Sequence, residues 1–327
     1  MKPLRVALLG ATSHIARGII VSFFGGEEYE LLLYARSPER VRAFIAPFGA
    51  RRFELFPLES FGERGCDVVI NCIGIGDPAR LKVEAATILF LTERWDNRVL
   101  EFLTRHPEAL YVNFSSGAAY GSNFSRPVDG ESESRFPLNA LSSGDFYGIA
   151  KLNAEAKHRA AAQLNIVDLR VFGYFSRYMD MDGRFLLNEI ISCIQAGRVL
   201  VTGRGNIVRD YVYREDLATL IQACMEKREL NDVFDVYSRS PVAKFELLDF
   251  YASRYGLTYQ IDVTYDPLNV TGLKEQYYSR NTRAAIIGYK PRFTSLEAIT
   301  LESDFILQEK LGVPAQLRSS HGNIGFI

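Results

Sequence analysis

The chain has 327 residues, of which 47% are hydrophobic and 24% charged, a balance typical of a folded globular protein rather than a disordered one. Its 38 Lys and Arg residues against 39 Asp and Glu residues give a net charge of −1, which does not favour a nucleic-acid or anionic-membrane partner. The ligand is therefore expected to be small. Four cysteines without paired spacing and four scattered histidines predict reduced thiols and no metal site. The first apolar run, from Leu4, is too short for a signal peptide or a membrane span, so a cytoplasmic location is expected.

Short apolar runs alternate with longer amphipathic stretches through the first half of the chain. The runs predict strands at 4–9, 31–34, 67–71, 111–114 and 166–170, and the stretches predict helices from about residue 13 and over 38–48, 95–105 and 147–163. This alternation indicates an α/β fold: a Rossmann-type, doubly wound parallel sheet with helices on both faces.

The pattern becomes less regular after about Gly173, where turn-rich segments occur. We therefore predict a smaller mixed α/β substrate-binding lobe at 173–206 and 241–327, beside an NADP-binding Rossmann domain at 1–172 plus about 207–240. The residues from about Leu311 match no element.

A glycine follows the first predicted strand at the point where a helix opens. At this point a Gly-x-x-Gly-x-x-Gly turn lets backbone amides approach a pyrophosphate at the helix N-terminus. In this chain only the first glycine of the pattern, Gly10, is present. Ser13 and Ala16 replace the later two glycines. Both are small, and the Ser13 hydroxyl could donate a hydrogen bond to a phosphate. An ordinary strand-to-helix turn is the alternative. The predicted cofactor contacts of this region are Gly10, Thr12, Ser13, His14 and Ile15, together with Ile73 at a later strand end.

The residues after the second strand decide which dinucleotide fits. An acid there would accept a hydrogen bond from the ribose 2′-hydroxyl of NAD and repel a 2′-phosphate. This chain instead has Arg36, Ser37 and, about one turn later, Arg40. Arginine suits phosphate through its forked donors, so NADP(H) is the predicted cofactor. The alternative is that the two arginines form a solvated helix start.

A Tyr-x-x-x-Lys motif joins Tyr147 and Lys151, downstream of this turn and of a strand that ends in Ser116. Positions i and i+4 share a helix face, so the ammonium would lie beside the phenol and lower its pKa toward the physiological range. Tyr147 then becomes a usable general acid or base, and Ser116 could hold the carbonyl oxygen that receives the proton. A half-exposed helix pair without a catalytic role is the alternative.

These motifs together resemble those of extended short-chain dehydrogenases/reductases of the NAD-dependent epimerase/dehydratase type. The similarity covers most of the chain, and the segments that carry it are 10–16, 114–121, 147–151 and Val208-Arg-Asp-Tyr-Val212.

The resemblance implies roles for individual residues. Ser116 would be the catalytic serine, Tyr147 the acid/base and Lys151 the anchor of the nicotinamide ribose, while Arg209 would touch the substrate diphosphate. A salt bridge from Arg209 to Asp210 or Asp216 is the alternative. Members typically act on nucleotide-diphosphate sugars, as in polysaccharide biosynthesis, and pair into homodimers through the helices at 95–105 and 147–163. The implied substrate contacts are Ser116, Tyr147, Tyr174, Arg184, Asn188 and Arg209.

Several positions depart from the family pattern. Gly173 stands where many sugar-nucleotide epimerases have an Asn, and Lys274 is the nearest cation to a later Arg that is missing. No adenine-contacting Asp is evident at 56–59, and residues 71–74 replace a strand end that usually contains His. The nucleotide sugar is therefore expected to be held in an unusual way.

Three functions are compatible with these residues. NADPH-dependent reduction of a keto group on a deoxy nucleotide sugar is favoured, because a reductase must exchange its cofactor with the NADPH pool. A 4-epimerase that retains NAD is the second candidate, since the same three residues serve both reactions. A non-catalytic NADP-sensing regulator on the same fold is the third, although such sensors commonly lack the Tyr-Lys pair.

Overall fold

A computed structural model describes residues 2–23, 26–49, 53–75, 83–183, 185–227, 229–264 and 274–310. Its strands, in chain order, are β1 Leu4–Leu9, β2 Tyr29–Ala35, β3 Phe53–Pro57, β4 Val68–Asn71, β5 Leu110–Ser116, β6 Ile166–Val171, β7 Leu200–Thr202, β8 Val208–Arg209, β9 Asn231–Val236, β10 Val242–Ala243, β11 Tyr259–Ile261 and β12 Gln276–Tyr277.

The α-helices lie between and after these strands. In chain order they are α1 His14–Phe23, α2 Pro38–Ile45, α3 Thr87–Arg105, α4 Ser143–Ala160, α5 Leu186–Ala196, α6 Arg214–Lys227, α7 Lys244–Tyr255 and α8 Ser295–Lys310.

Seven strands form the central sheet in the order β3-β2-β1-β4-β5-β6-β9. Every adjacent pair in this sheet is parallel. The predicted α/β fold with a doubly wound parallel sheet is therefore confirmed. The direction of winding reverses between β1 and β4, and ligands of such sheets bind at the carboxyl ends of the strands beside this switch point.

Both faces of the central sheet are covered, which explains the continuous apolar runs in the sequence. Side chains of one strand alternate between two cores. In β1, Val6 and Leu8 join the core that contains residues of α1 and α6, whereas Ala7 and Leu9 join the core that contains Trp95 and other residues of α3.

The observed helix starts differ from the predicted ones in two places. Helix α3 begins at Thr87, well before the predicted residue 95. Helix α4 begins at Ser143, because the Asp145 carboxylate accepts hydrogen bonds from both the backbone N–H and the hydroxyl of Ser142 and so caps the first turn.

The remaining strands form two small sheets, one of three strands in the order β10-β8-β12 and one that pairs β11 with β7. Strand β9, by contrast, belongs to the central sheet. The division into two domains itself stays a prediction, and the residues from 311 onward lie outside the described part.

No helix of the described residues is both long and apolar enough to cross a bilayer. Cys66, Cys72, Cys193 and Cys224 are free and buried. In the part of the chain that the structure describes, no group of His, Cys, Asp or Glu side chains could hold a metal ion.

Candidate active site

The turn after β1 has the shape that a pyrophosphate requires. Gly10 has a φ of +74°, and a Cβ at this position would lie 3.1 Å from the backbone of Cys72 and from the Ile73 side chain. The Ser13 hydroxyl caps α1 by accepting from the Ala16 N–H at 3.3 Å. The first turn of such a helix leaves N–H groups without intrahelical partners, and those of His14 and Ile15 lie in this turn. These groups fit a dinucleotide pyrophosphate, although the structure carries no ligand.

The side chain of His14 packs against Ser176 and Tyr174. Its Nε2 lies 2.8 Å from the Ser176 hydroxyl, and its ring lies 4.7 Å from that of Tyr174. Burial lowers the pKa of His14 to about 4, so the ring is neutral at pH 7. The imidazole therefore brings no positive charge to the turn.

The adjacent wall of the turn is the end of β4. The Asn71 side chain accepts from the Ile73 N–H at 3.0 Å and donates to the Tyr111 hydroxyl at 3.0 Å. These bonds fix Ile73 beside Gly10. The Asn71 side-chain amide thus holds the end of β4 in place, at a position where the family commonly has a histidine-containing sequence.

The end of β2 presents a cluster of cations. Arg36 and Arg40 are exposed, and Ser37 is half-buried at the start of α2. Arg17 of α1, which the sequence pattern did not single out, donates to the Tyr178 carbonyl at 3.3 Å. Burial, followed by the charge of Arg40, lowers the pKa of Arg17. The donor set suits the 2′-phosphate of NADP.

Ser116 ends β5 and is buried. Its hydroxyl accepts from the Ala118 N–H at 3.2 Å and lies 3.1 Å from the hydroxyl of Tyr277. The contact with Tyr277 was not predicted, because the two residues are 161 positions apart. It depends on the short pairing of β12 with β8, for which the sequence gives no strong pattern.

Tyr147 and Lys151 lie on one face of α4. The Lys151 ammonium is 5.8 Å from the Tyr147 ring centre and donates to the Phe114 carbonyl of β5 at 2.7 Å. An ammonium has three donors, so this bond fixes Lys151 and leaves two for a ligand. The structure therefore brings the three predicted catalytic side chains to the carboxyl end of β5.

Gly148 allows this approach of helix and strand. A Cβ at residue 148 would lie 2.3 Å from the Ala118 carbonyl oxygen and 3.0 Å from the Phe136 ring. Any larger residue would push α4, and with it Tyr147, away from the turn that follows Ser116. The glycine after the tyrosine thus has a packing reason at this position.

Three further predicted substrate contacts are Tyr174, Asn188 and Arg184. The Tyr174 hydroxyl packs where a Cβ on Gly18 of α1 would lie, only 1.9 Å away. Asn188 is buried and donates to the Asp180 carbonyl at 2.7 Å, while its Oδ1 has no hydrogen-bond partner among the described residues. Arg184 lies outside the described residues.

The family model of the NAD dependent epimerase/dehydratase family matches residues 54–238, and this segment contains Ser116, Tyr147 and Lys151. The chain belongs to this family. The predicted resemblance is thereby confirmed. The match begins after Gly10, so the phosphate turn rests on its own geometry. A comparison with curated proteins finds no match.

Solved structures of epimerases and dehydratases have the same fold. The UDP-N-acetylglucosamine 4-epimerase from Methanobrevibacter ruminantium M1, in complex with UDP-N-acetylmuramic acid, has a TM-score of 0.79 and 17% identity, over 95% of this chain and all of its own. A point mutant of the UDP-glucuronic acid 4-epimerase from Bacillus cereus, in complex with a fluorinated UDP-sugar and NAD, has a TM-score of 0.78 and 17% identity, over 94% and 100%. The dTDP-glucose 4,6-dehydratase from Bacillus anthracis, in complex with NAD, has a TM-score of 0.75 and 14% identity, over 94% and 98%.

The departures of this epimerase/dehydratase family member have structural reasons. At Gly173, a Cβ would lie 2.4 Å from the Asp210 carbonyl oxygen, so an Asn cannot occupy this position without a shift. Arg209 donates to the carbonyls of Val208 and Lys274 at 2.8 and 2.5 Å. The alternative salt bridge to Asp210 is not formed, because that carboxylate accepts instead from the Ser238 N–H and the Ser295 hydroxyl.

Two basic side chains lie over the ring of Tyr277, next to Ser116. The Lys274 ammonium is 4.2 Å and the Arg209 guanidinium 5.8 Å from the Tyr277 ring centre. Burial, followed by the charge of Arg209, lowers the pKa of Lys274 to about 7.

Proposed function

We propose that this protein reduces a keto group on a deoxy nucleotide-diphosphate sugar with NADPH. The observation that carries the proposal is the combination of Ser116, Tyr147 and Lys151 at the end of β5 with the arginine-rich end of β2. The first group supports carbonyl chemistry. The second supports a cofactor that carries a 2′-phosphate.

In this proposal each side chain has one role. Tyr147 delivers a proton to the sugar oxygen, and Ser116 donates a hydrogen bond to the same oxygen. Lys151, anchored by the Phe114 carbonyl, uses its remaining donors to hold the nicotinamide ribose. The Gly10 turn and the start of α1 would hold the pyrophosphate, and Arg36, Ser37 and Arg40 the 2′-phosphate. When bound, the nicotinamide supplies the hydride that the sugar carbon accepts.

A nucleotide-sugar 4-epimerase that retains NAD is the second candidate. Membership of the epimerase/dehydratase family supports it at least as well as a reductase, and the same three residues serve both. The two differ in cofactor exchange, because an epimerase oxidises and re-reduces one sugar and has no need of a cofactor pool. The β2 arginines are the reason for placing the reductase first. A non-catalytic sensor would have no use for the Tyr147–Lys151 arrangement.

Replacing Arg36 with Ala is expected to weaken NADPH binding about 10- to 100-fold, because a charge-assisted contact to the 2′-phosphate is lost. The affinity for NADH, which has no such phosphate, should change less than about threefold. Titration of the emptied protein with each cofactor measures both values. Arg42→Ala is the matched control, since Arg42 is another exposed arginine of α2. Equal losses for NADPH and NADH would remove the phosphate role.

We also propose that the protein forms a homodimer through α3 and α4, in line with its family. These helices pack side by side, and Phe90 of α3 is 74% exposed. An apolar side chain with this exposure suits a partner helix. Light scattering is expected to give twice the chain mass, and Phe90→Glu is expected to shift it toward the monomer. A monomeric wild type would contradict the proposed homodimer and would leave the catalytic proposal unaffected.

A further inference from the structure

Ser116 already has two hydrogen-bond neighbours without any substrate. A serine hydroxyl carries one proton and two lone pairs. The Ala118 N–H takes one lone pair at 3.2 Å, and the Tyr277 hydroxyl lies 3.1 Å from the same oxygen. One of the two hydroxyls must donate across the second contact, and the direction decides whether Ser116 keeps a proton for a ligand.

Polarisation of a carbonyl requires Ser116 to donate to the carbonyl oxygen. If Ser116 donated to Tyr277, its only proton would be used. If Tyr277 donates instead, both serine lone pairs are occupied and the serine proton is left for the substrate. Only the second arrangement is compatible with the role of Ser116 in the proposed reaction.

The packing around Tyr277 holds its ring in place, as suits a hydrogen-bond donor of fixed orientation. The Phe124 ring meets it edge-on with centroids 4.6 Å apart, and the Phe172 ring lies 5.2 Å away. The Arg209 guanidinium lies 5.8 Å from the centre of the same ring, so cation–π attraction adds to the packing. Burial raises the pKa of Tyr277, so its hydroxyl keeps its proton at neutral pH.

We propose that Tyr277 is a positioning residue that donates a hydrogen bond to Ser116 and thereby leaves the serine proton free to bind the substrate carbonyl oxygen. The inference rests on the proposed function, because it assumes that Ser116 binds that oxygen. It assigns a role to a residue of the small β10-β8-β12 sheet, which thus contributes to the centre at the end of β5.

Tyr277→Phe keeps the ring and removes only the hydroxyl. We expect kcat to fall about 10-fold, as for the loss of one hydrogen bond, with KM and the NADPH Kd within about twofold. Ser116→Ala should lower kcat about 100-fold, as for an oxyanion donor. The double variant should be no slower than Ser116→Ala, because Tyr277 acts only through Ser116. Additive losses, or an unchanged kcat in Tyr277→Phe, would overturn the inference.

Tyr278→Phe is the matched control and should leave kcat unchanged, because the hydrogen-bond neighbours of the Ser116 hydroxyl are Tyr277 and Ala118. A double-mutant cycle of stability uses the protein without ligands. It compares the urea denaturation midpoints of wild type, Tyr277→Phe, Ser116→Ala and the double variant. Non-additive midpoints support the hydrogen bond, and additive midpoints overturn it. A wild type that turns over no keto nucleotide sugar would refute the proposed function, and the urea cycle would then decide the Tyr277 contact alone.

Discussion

Replacing Tyr147 with Phe is expected to lower kcat about 1000-fold, because general acid–base catalysis by a positioned side chain contributes about 10²- to 10⁴-fold. The ring packing is kept, and Lys151 keeps its bond to the Phe114 carbonyl. The NADPH Kd should therefore stay within a few-fold. Stopped-flow oxidation of NADPH with a keto nucleotide sugar measures kcat, and fluorescence titration measures the Kd.

Tyr29→Phe is a suitable control for this experiment. Tyr29 begins β2, at the end of the sheet opposite the carboxyl ends, and its hydroxyl contacts Gln222. Its removal should leave kcat unchanged. Full activity in Tyr147→Phe would show that another group transfers the proton and would remove the catalytic assignment.

The second large effect concerns a buried network between the central sheet, α3 and α4. His158 is fully buried, with Nδ1 2.8 Å from Asp168 and Nε2 2.7 Å from Asp96. Lys157 adds an ion pair to Asp96 at 2.6 Å, and Arg159 adds one to Asp168 at 3.1 Å. Two carboxylates are thus buried around one imidazole, which connects three elements of the fold.

His158→Asn is expected to lower the free energy of unfolding by about 3 to 5 kcal/mol, because removal of one partner leaves buried charges uncompensated. Urea denaturation near pH 6 measures the change. His106→Asn is the matched control, since His106 lies at the end of α3, is only partly buried and has Glu108 3.8 Å away. The control should lose less than about 1 kcal/mol.

The same network predicts a pH dependence. Burial alone would lower the pKa of His158, but the hydrogen bonds to Asp168 and Asp96 outweigh it and raise the pKa to about 9. The stabilisation is therefore complete below the unfolded pKa of about 6.5 and is lost as the pH rises through 9. Burial alone would raise the pKa of Asp96, but the hydrogen bond from His158 outweighs it and lowers this pKa. The stabilisation that Asp96 contributes is therefore present above the ordinary carboxyl pKa and is lost as the pH falls.

The difference in unfolding free energy between wild type and His158→Asn should accordingly be large at pH 6 and shrink toward pH 10. A difference that does not change between these values, or a loss below about 1 kcal/mol at pH 6, would contradict a charged His158 in the fold.

The parts of the site that follow local rules could be predicted from the sequence. The i, i+4 spacing placed Lys151 beside Tyr147, and the apolar run ending at Leu9 placed Gly10 at the first strand–helix turn. Parallel strands bring their carboxyl ends to one edge, so Ser116 was expected near both. Each of these inferences uses neighbours in sequence or the period of one element.

The remaining contacts depend on pairings between distant segments. Tyr277 reaches Ser116 only because β12 pairs with β8, and each of these strands has only two residues. His158 appeared as one of four scattered histidines, because its partners Asp96 and Asp168 come from a helix and a strand elsewhere in the chain. Arg17 of α1 lies 5.3 Å from the ring centre of Phe44 in α2, a contact that no local spacing indicates. The contact of His14 with Ser176, 162 positions away, is likewise not indicated by local spacing.

The most direct test of the central claim is to denature freshly purified protein, identify any released dinucleotide, and then follow oxidation of added NADPH by the emptied protein with keto nucleotide sugars. Little retained cofactor, exchangeable binding that prefers NADPH, and NADPH oxidation that depends on the sugar are the predicted results. Stoichiometric retained NAD, with no exchange and no net NADPH oxidation, would contradict the reductase and place the 4-epimerase first.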